Sequence, residues 1–120
     1  MSTESRILGT RLQNKVAICT GGGSGFGEAI SKCFADEGCK VVVADFDPIG
    51  GQRVASYLPR NMHFVNMDVS KEKDWQTVIE STIAKFGRVD VLVNNAGTSY
   101  RNKVPCFLSH IRGNKINEIV

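Results

Sequence analysis

No run of apolar residues among these 120 is long enough to cross a bilayer, and residues 1–15, with Glu4, Arg6, Arg11 and Lys15, hold no apolar segment of signal-peptide type. A soluble, intracellular protein with a cytoplasmic location and no membrane partner is expected. Cysteine is sparse: Cys19, Cys33, Cys39 and Cys106 show no C-x-x-C spacing, and the two histidines are not paired at a zinc-ligand interval. No metal site is expected. Cys19, in a strand run, and Cys33, on the apolar face of a helix, read as small hydrophobes. The sequence G-x-x-x-x-G-K-[ST] is missing, which removes a P-loop protein. Charge of one sign is also scarce, because residues 1–97 carry 11 Lys+Arg against 11 Asp+Glu and the net +3 arises entirely within residues 98–120. That short stretch offers no basic face with aromatic or helical presentation, so no nucleic-acid partner is expected.

Glycine, by contrast, is concentrated. Thr20-Gly21-Gly22-Gly23-Ser24-Gly25-Phe26-Gly27 follows the apolar run Val16 to Cys19 and leads into an amphipathic stretch. Glycines between a strand and a helix let the backbone approach a phosphate closely, and the helix N-terminus offers it free N–H groups. The literal G-x-G-x-x-G is absent; the pattern is T-G-x-x-x-G-x-G, with Gly21, Gly25 and Gly27 at its defining positions. A glycine-rich turn alone also fits a plain connection. The context favours a ligand, because Asp45 ends the next strand candidate 20 residues after Gly25, the interval at which a carboxylate meets a ribose.

The rest of the chain alternates in period. Phe26, Ala29, Ile30, Cys33 and Phe34 form one helical stripe that stops at Gly38, and Lys40 to Asp45 is a second buried strand. Asp47-Pro48 caps and opens a helix carrying Val54, Tyr57 and Leu58 inward, ended by Pro59. Met62 to Met67 is a third strand, with His63 an ordinary strand-edge residue. Ser70 caps a long helix through Trp75, Val78, Ile79, Ile83 and Phe86, closed by Gly87, before a fourth strand, Val89 to Val93. The fold class is therefore α/β: a Rossmann-type doubly wound parallel sheet of order 3-2-1-4 with right-handed crossovers, truncated after the fourth strand.

Several separated motifs now agree. Thr20-Gly21 through Gly27, Asp45 at a strand end, Asp68-Val69 after the third strand and Asn94-Asn95-Ala96-Gly97 after the fourth resemble the short-chain dehydrogenase/reductase superfamily of NAD(P)-dependent oxidoreductases. The resemblance runs from about Leu12 to Lys103. It implies an NAD(P)-binding Rossmann half-domain over 1–103 and a non-family, disordered tail over 104–120. It also implies that Gly21, Ser24, Gly25, Phe26 and Gly27 line the pyrophosphate and adjoining ribose, that Asp45 takes the adenosine ribose hydroxyls, that Asp68 and Val69 flank the adenine, and that Asn95 meets the inner ribose. Asp68 equally fits a residue that shapes the turn into the next helix, and Asn94 to Gly97 fits a turn that ends a strand. A carboxylate at Asp45 repels a 2′-phosphate and Phe46 supplies no cation to attract one, so NAD is expected over NADP.

The family passes hydride between the nicotinamide and an alcohol or carbonyl carbon, using a serine, a tyrosine and a lysine four residues after the tyrosine. Position 61 after Tyr57 is asparagine and position 104 after Tyr100 is valine, so no Y-x-x-x-K exists here. Tyr100 and Lys103 have the wrong spacing, and Pro105 opposes a helix there. The reading is thus a truncated oxidoreductase, inactive alone and with doubtful oligomer formation, that retains dinucleotide binding but not its alcohol or carbonyl substrate. The alternative is a non-catalytic dinucleotide-binding or regulatory module working through a partner.

Overall fold

A strand that is apolar along its whole length has to be covered on both faces, and Val16–Thr20 is used in this way. The structure, a computed structural model, describes residues 9–95 and the backbone of 118–119. Its elements are β1 (Val16–Thr20), α1 (Gly25–Asp36), β2 (Lys40–Asp45), α2 (Pro48–Ala55), β3 (Met62–Asn66), α3 (Glu72–Phe86), β4 (Val91–Asn94) and β5 (Glu118–Ile119). All strands run parallel in the order β3-β2-β1-β4-β5. The expected order 3-2-1-4 is present. Where four strands were expected a fifth, two residues long, pairs Val91 with Glu118 and Leu92 with Ile119. An apolar edge with unpaired N–H and C=O groups gains from any partner strand, which gives this pairing a physical reason. Apart from that pairing, the expected tail over 104–120 lies outside the described residues.

Alternation along the central strands splits the core into two layers. Ala17, Cys19, Val41 and Val43 pack with Ala35, Val54 and Leu58 beneath α1 and α2. Ile18, Val42, Ala44 and Leu92 pack on the other face with Trp75, Val78 and Ile79 of α3. At about 25 cal/mol per Å² of apolar surface removed from water, these two layers are the main stabilising term.

Helix α1 departs from expectation in the face it buries. Gly27, Ser31 and Ala35 are buried and Ile30 and Phe34 pack partly buried against the core, whereas Phe26, Ala29 and Cys33 are exposed. The stripe is rotated because small residues at i, i+4 and i+8 let α1 lie close over the sheet, and the bulky Phe26 cannot occupy that face. Cys33 is accordingly a surface thiol and not a core hydrophobe. The start of α3 is also corrected. Its N-cap is Lys71, and the Ser70 hydroxyl donates instead to Asp68 Oδ1 at 2.6 Å. Asp47 does cap α2, accepting from Ile49 N–H at 3.0 Å, and Gly87 ends α3 in the left-handed conformation at φ 88°. Among the described residues no helix is long and apolar enough to cross a membrane.

Candidate functional site

The carboxyl end of the sheet opens into a cleft of about 750 Å³, lined by Gly21, Ser24, Phe26, Ala44, Asp45, Phe46, Met67, Asp68, Val69 and Asn95. Seven of the nine residues singled out from the sequence line it. The remaining two, Gly25 and Gly27, shape it.

Its first wall is the turn between β1 and α1. Gly21 has φ 65° and Gly25 φ 56°, conformations that disfavour any residue with a Cβ. Gly21 N–H donates to the Ala44 carbonyl at 2.8 Å, which ties the turn to β2. A Cβ at Gly27 would overlap the Gly21 carbonyl oxygen and sit 2.6 Å from Asn95 Nδ2, so this glycine closes the helix onto the turn and does not line the cleft. Ser24 stands at the N-cap in extended conformation, yet its side chain accepts no capping hydrogen bond. The first backbone bond into α1 runs from Glu28 N–H to the Ser24 carbonyl at 3.1 Å. The opening turn of α1 is therefore left uncapped beside the cleft, with N–H groups and the positive end of the helix dipole available to an anion.

Beside this turn stands Asp45 at the end of β2. Its carboxylate accepts Gly23 N–H at 2.9 Å through Oδ2 and Asp47 N–H at 2.8 Å through Oδ1. Each oxygen keeps a lone pair, so the group can still accept from a ligand hydroxyl. Asn66 Nδ2 donates to the Asp45 and Phe46 carbonyls at 3.2 and 3.1 Å and fixes the rim at that point. Phe26, 83% exposed, and Phe46, 71% exposed, are large apolar side chains left on the cleft margin.

The third wall follows β3. Asp68 Oδ1 accepts Ser70 N–H at 2.9 Å as well as the hydroxyl, so the turn-shaping role is realised on a residue that also lines the cleft. These two bonds hold its carboxyl below the usual carboxylate range. Val69 is pinned by Trp75, whose indole N–H donates to the Val69 carbonyl at 2.9 Å.

The floor is tied by Thr20. Its Oγ1 accepts Asn95 N–H at 3.0 Å and lies 3.3 Å from both the Val93 carbonyl and Asn94 Oδ1, to one of which it donates. Asn95 Nδ2 in turn reaches the Gly21 carbonyl at 3.5 Å. The end of β4 is thus attached to the glycine turn. Below it, burial pushes the Cys19 thiol up and the Cys39 thiol up to about 12, so both stay protonated and unreactive.

Ala44, Phe46 and Met67 line the cleft but were not singled out as site residues. Phe46 carried a signal, since a bulky apolar residue directly after a strand-end carboxylate belongs to the same rim. Thr20 and Trp75 act behind the lining, where a buried hydroxyl or indole needs a partner. Tyr100 and Lys103 lie outside the described residues. Among the described residues no three His, Cys, Asp or Glu side chains converge as a metal site would require.

Comparison with known proteins adds four similarities. A family model described as short chain dehydrogenase matches residues 15–119. The (21S)-21-acetoxyl-apo-melianone synthase SDR of Melia azedarach is 41% identical over 101 residues, covering 84% of this chain and 37% of that protein. Among solved structures, the 3-ketoacyl-(acyl-carrier-protein) reductase of Brucella melitensis complexed with NADH superposes with a TM-score of 0.71 at 47% identity, covering 77% of this chain and 38% of that one. The glucose dehydrogenase of Caenorhabditis elegans in its apo-form gives 0.70 at 34% identity, covering 75% and 40%. The chain spans about a third of the length of the curated relatives it matches.

Proposed function

This chain belongs to the short-chain dehydrogenase family, and from that premise we propose that its cleft holds a nicotinamide adenine dinucleotide, NAD in preference to NADP. One observation carries the reading: an uncapped helix N-terminus over a glycine turn and a strand-end carboxylate border one and the same cleft. The first suits a pyrophosphate and the second a pair of ribose hydroxyls. Gly21, Ser24, Gly25, Phe26 and Gly27 form the pyrophosphate end, with Gly25 and Gly27 acting through the backbone they permit. Asp45 receives the adenosine ribose, Asp68 and Val69 border the adenine, and Asn95 meets the inner ribose. The complex of the Brucella reductase with NADH supports this direction of binding chemistry.

The preference for NAD rests on charge. Among the described residues no lysine or arginine lines the cleft to attract a 2′-phosphate, and Asp45 repels one. NAD supplies the hydride acceptor when bound, and the family reaction runs between an alcohol and its carbonyl. Tyr57 is no candidate for proton exchange in this chain, because its hydroxyl donates to Asp36 between α1 and α2 at 3.0 Å. With no Tyr-x-x-x-Lys in the sequence, the chain by itself binds cofactor without turnover.

The test is titration of the 120-residue chain with NADH and NADPH, read by ligand fluorescence. NADH is expected to saturate at a Kd lower than that of NADPH by about tenfold or more, a difference of about 1.4 kcal/mol. Asp45→Ser should narrow the gap by weakening NADH. Equal affinity of the wild-type chain for both would overturn the preference, and binding of neither would overturn the reading.

A further inference from the structure

Behind the glycine turn, on the side of α2, sits a guanidinium that the cofactor reading does not use. Arg53 lies in the last turn of α2. Its Nη2 donates to the Gly23 carbonyl at 3.1 Å, and its two Nη groups hold Glu28 of α1 at 3.0 and 2.8 Å. Glu28 is further bound by Lys32 at 2.7 Å. A fork gripping a carboxylate at both oxygens is a directional contact that a surface lysine could not reproduce.

Gly23 is held from both ends. Its N–H is bound by Asp45 Oδ2 at 2.9 Å, and its carbonyl by Arg53. It is also packed against the opening turn of α2. A Cβ on Gly23 would stand 2.9 Å from Gly51 N, and one on Gly50 would stand 2.8 Å from the Gly23 carbonyl oxygen. The absence of side chains at these positions allows two backbones to touch.

The carbonyl of Gly23 and the N–H of Ser24 belong to the same planar peptide. In a trans peptide they point in opposite directions. A guanidinium that draws the carbonyl toward α2 therefore turns the Ser24 N–H away from α2, at a residue that lines the cleft. We propose that Arg53, braced by Glu28, is a positioning residue that presets the Gly23–Ser24 peptide so that its N–H is offered to the dinucleotide pyrophosphate. This rests on the dinucleotide reading above. It makes α2, which does not touch the ligand at Arg53, part of the phosphate site.

The experiment compares ADP-ribose, which carries the pyrophosphate, with adenosine, which does not, on the 120-residue chain. Wild type, Arg53→Ala and Glu28→Gln are titrated by calorimetry for ADP-ribose and by amide chemical shift for adenosine. Arg53→Ala should weaken ADP-ribose about tenfold, the usual scale for losing a hydrogen bond to a charged group, and leave adenosine within about twofold. Glu28→Gln should weaken ADP-ribose in the same direction by a smaller factor. Should Arg53→Ala fail to fold by circular dichroism, Glu28→Gln alone decides, and unchanged ADP-ribose affinity in it overturns the proposal. Equal losses for both ligands would mark Arg53 as a merely structural residue and overturn it as well. If wild type takes up neither ADP-ribose nor NADH, the dinucleotide reading falls first; if wild type binds and Arg53→Ala binds ADP-ribose equally well, only the role of Arg53 falls.

Discussion

Gly25 and Gly27 sit two positions apart and are glycine for different reasons. At Gly25 there is open space around a hypothetical Cβ, but φ is 56°. At Gly27 a Cβ would overlap the Gly21 carbonyl oxygen and crowd Asn95. Gly25→Ala should therefore cost about 1–2 kcal/mol through left-handed strain alone. Gly27→Ala should destabilise by about 1–3 kcal/mol through overpacking and also displace the turn. Thermal melts and NADH titrations of both variants would separate them: the expected pattern is a larger loss of NADH affinity in Gly27→Ala. Comparable affinity in the two would contradict a packing role for Gly27. At this scale the motif residues were legible, because positive φ and close approach demand glycine in any context. Thr20 and Trp75 were not legible as site residues, since their roles depend on partners 75 and 6 residues away.

Among the elements, α1 shows how periodicity alone misplaces a face. Phe26, Ala29, Ile30, Cys33 and Phe34 make a convincing stripe, yet only Ile30 and Phe34 of it pack against the core, and the fully buried positions are Gly27, Ser31 and Ala35. A helix packed closely over glycine-rich backbone buries small residues, and apolar size ceases to be the signal. Ala35→Leu should lose about 1–3 kcal/mol by overpacking, whereas Cys33→Ser should stay within about 0.5 kcal/mol, both read from urea midpoints. A costly Cys33→Ser would contradict the observed face. The clamp between α1 and α2 gives a pH signature. Arg53 and Lys32 hold the Glu28 carboxyl down from 4.5 to about 2. A carboxyl depressed in the folded state contributes stability that is present above its unfolded value and is lost as pH falls from about 4.5 toward 2. Over that window the melting temperature of wild type should fall more steeply than that of Glu28→Gln, with the difference reduced by salt. Parallel profiles would show that the clamp contributes nothing measurable.

For the whole molecule, the three-layer plan was readable because strands covered on both faces are uniformly apolar and the helices between them are set off by glycine, proline and polar residues. Val16 to Cys19 and Lys40 to Asp45 declared themselves in this way. β5 could not be read, since Glu118–Ile119 becomes a strand only through the edge that β4 offers it. The cleft emerges only at this scale, where four strand ends bring together Ser24, Asp45, Asp68 and Asn95 from segments spread over 72 residues of chain. Its identity as a dinucleotide site is tested most directly by amide shift mapping of the nitrogen-15-labelled chain with NADH. The expected result is saturable shifts gathered at Gly21 to Gly27, Asp45 and Phe46, Asp68 and Val69, and Asn95, with the exposed face of α3 unmoved. Shifts absent throughout, or gathered on α3 and away from the carboxyl end of the sheet, would contradict it.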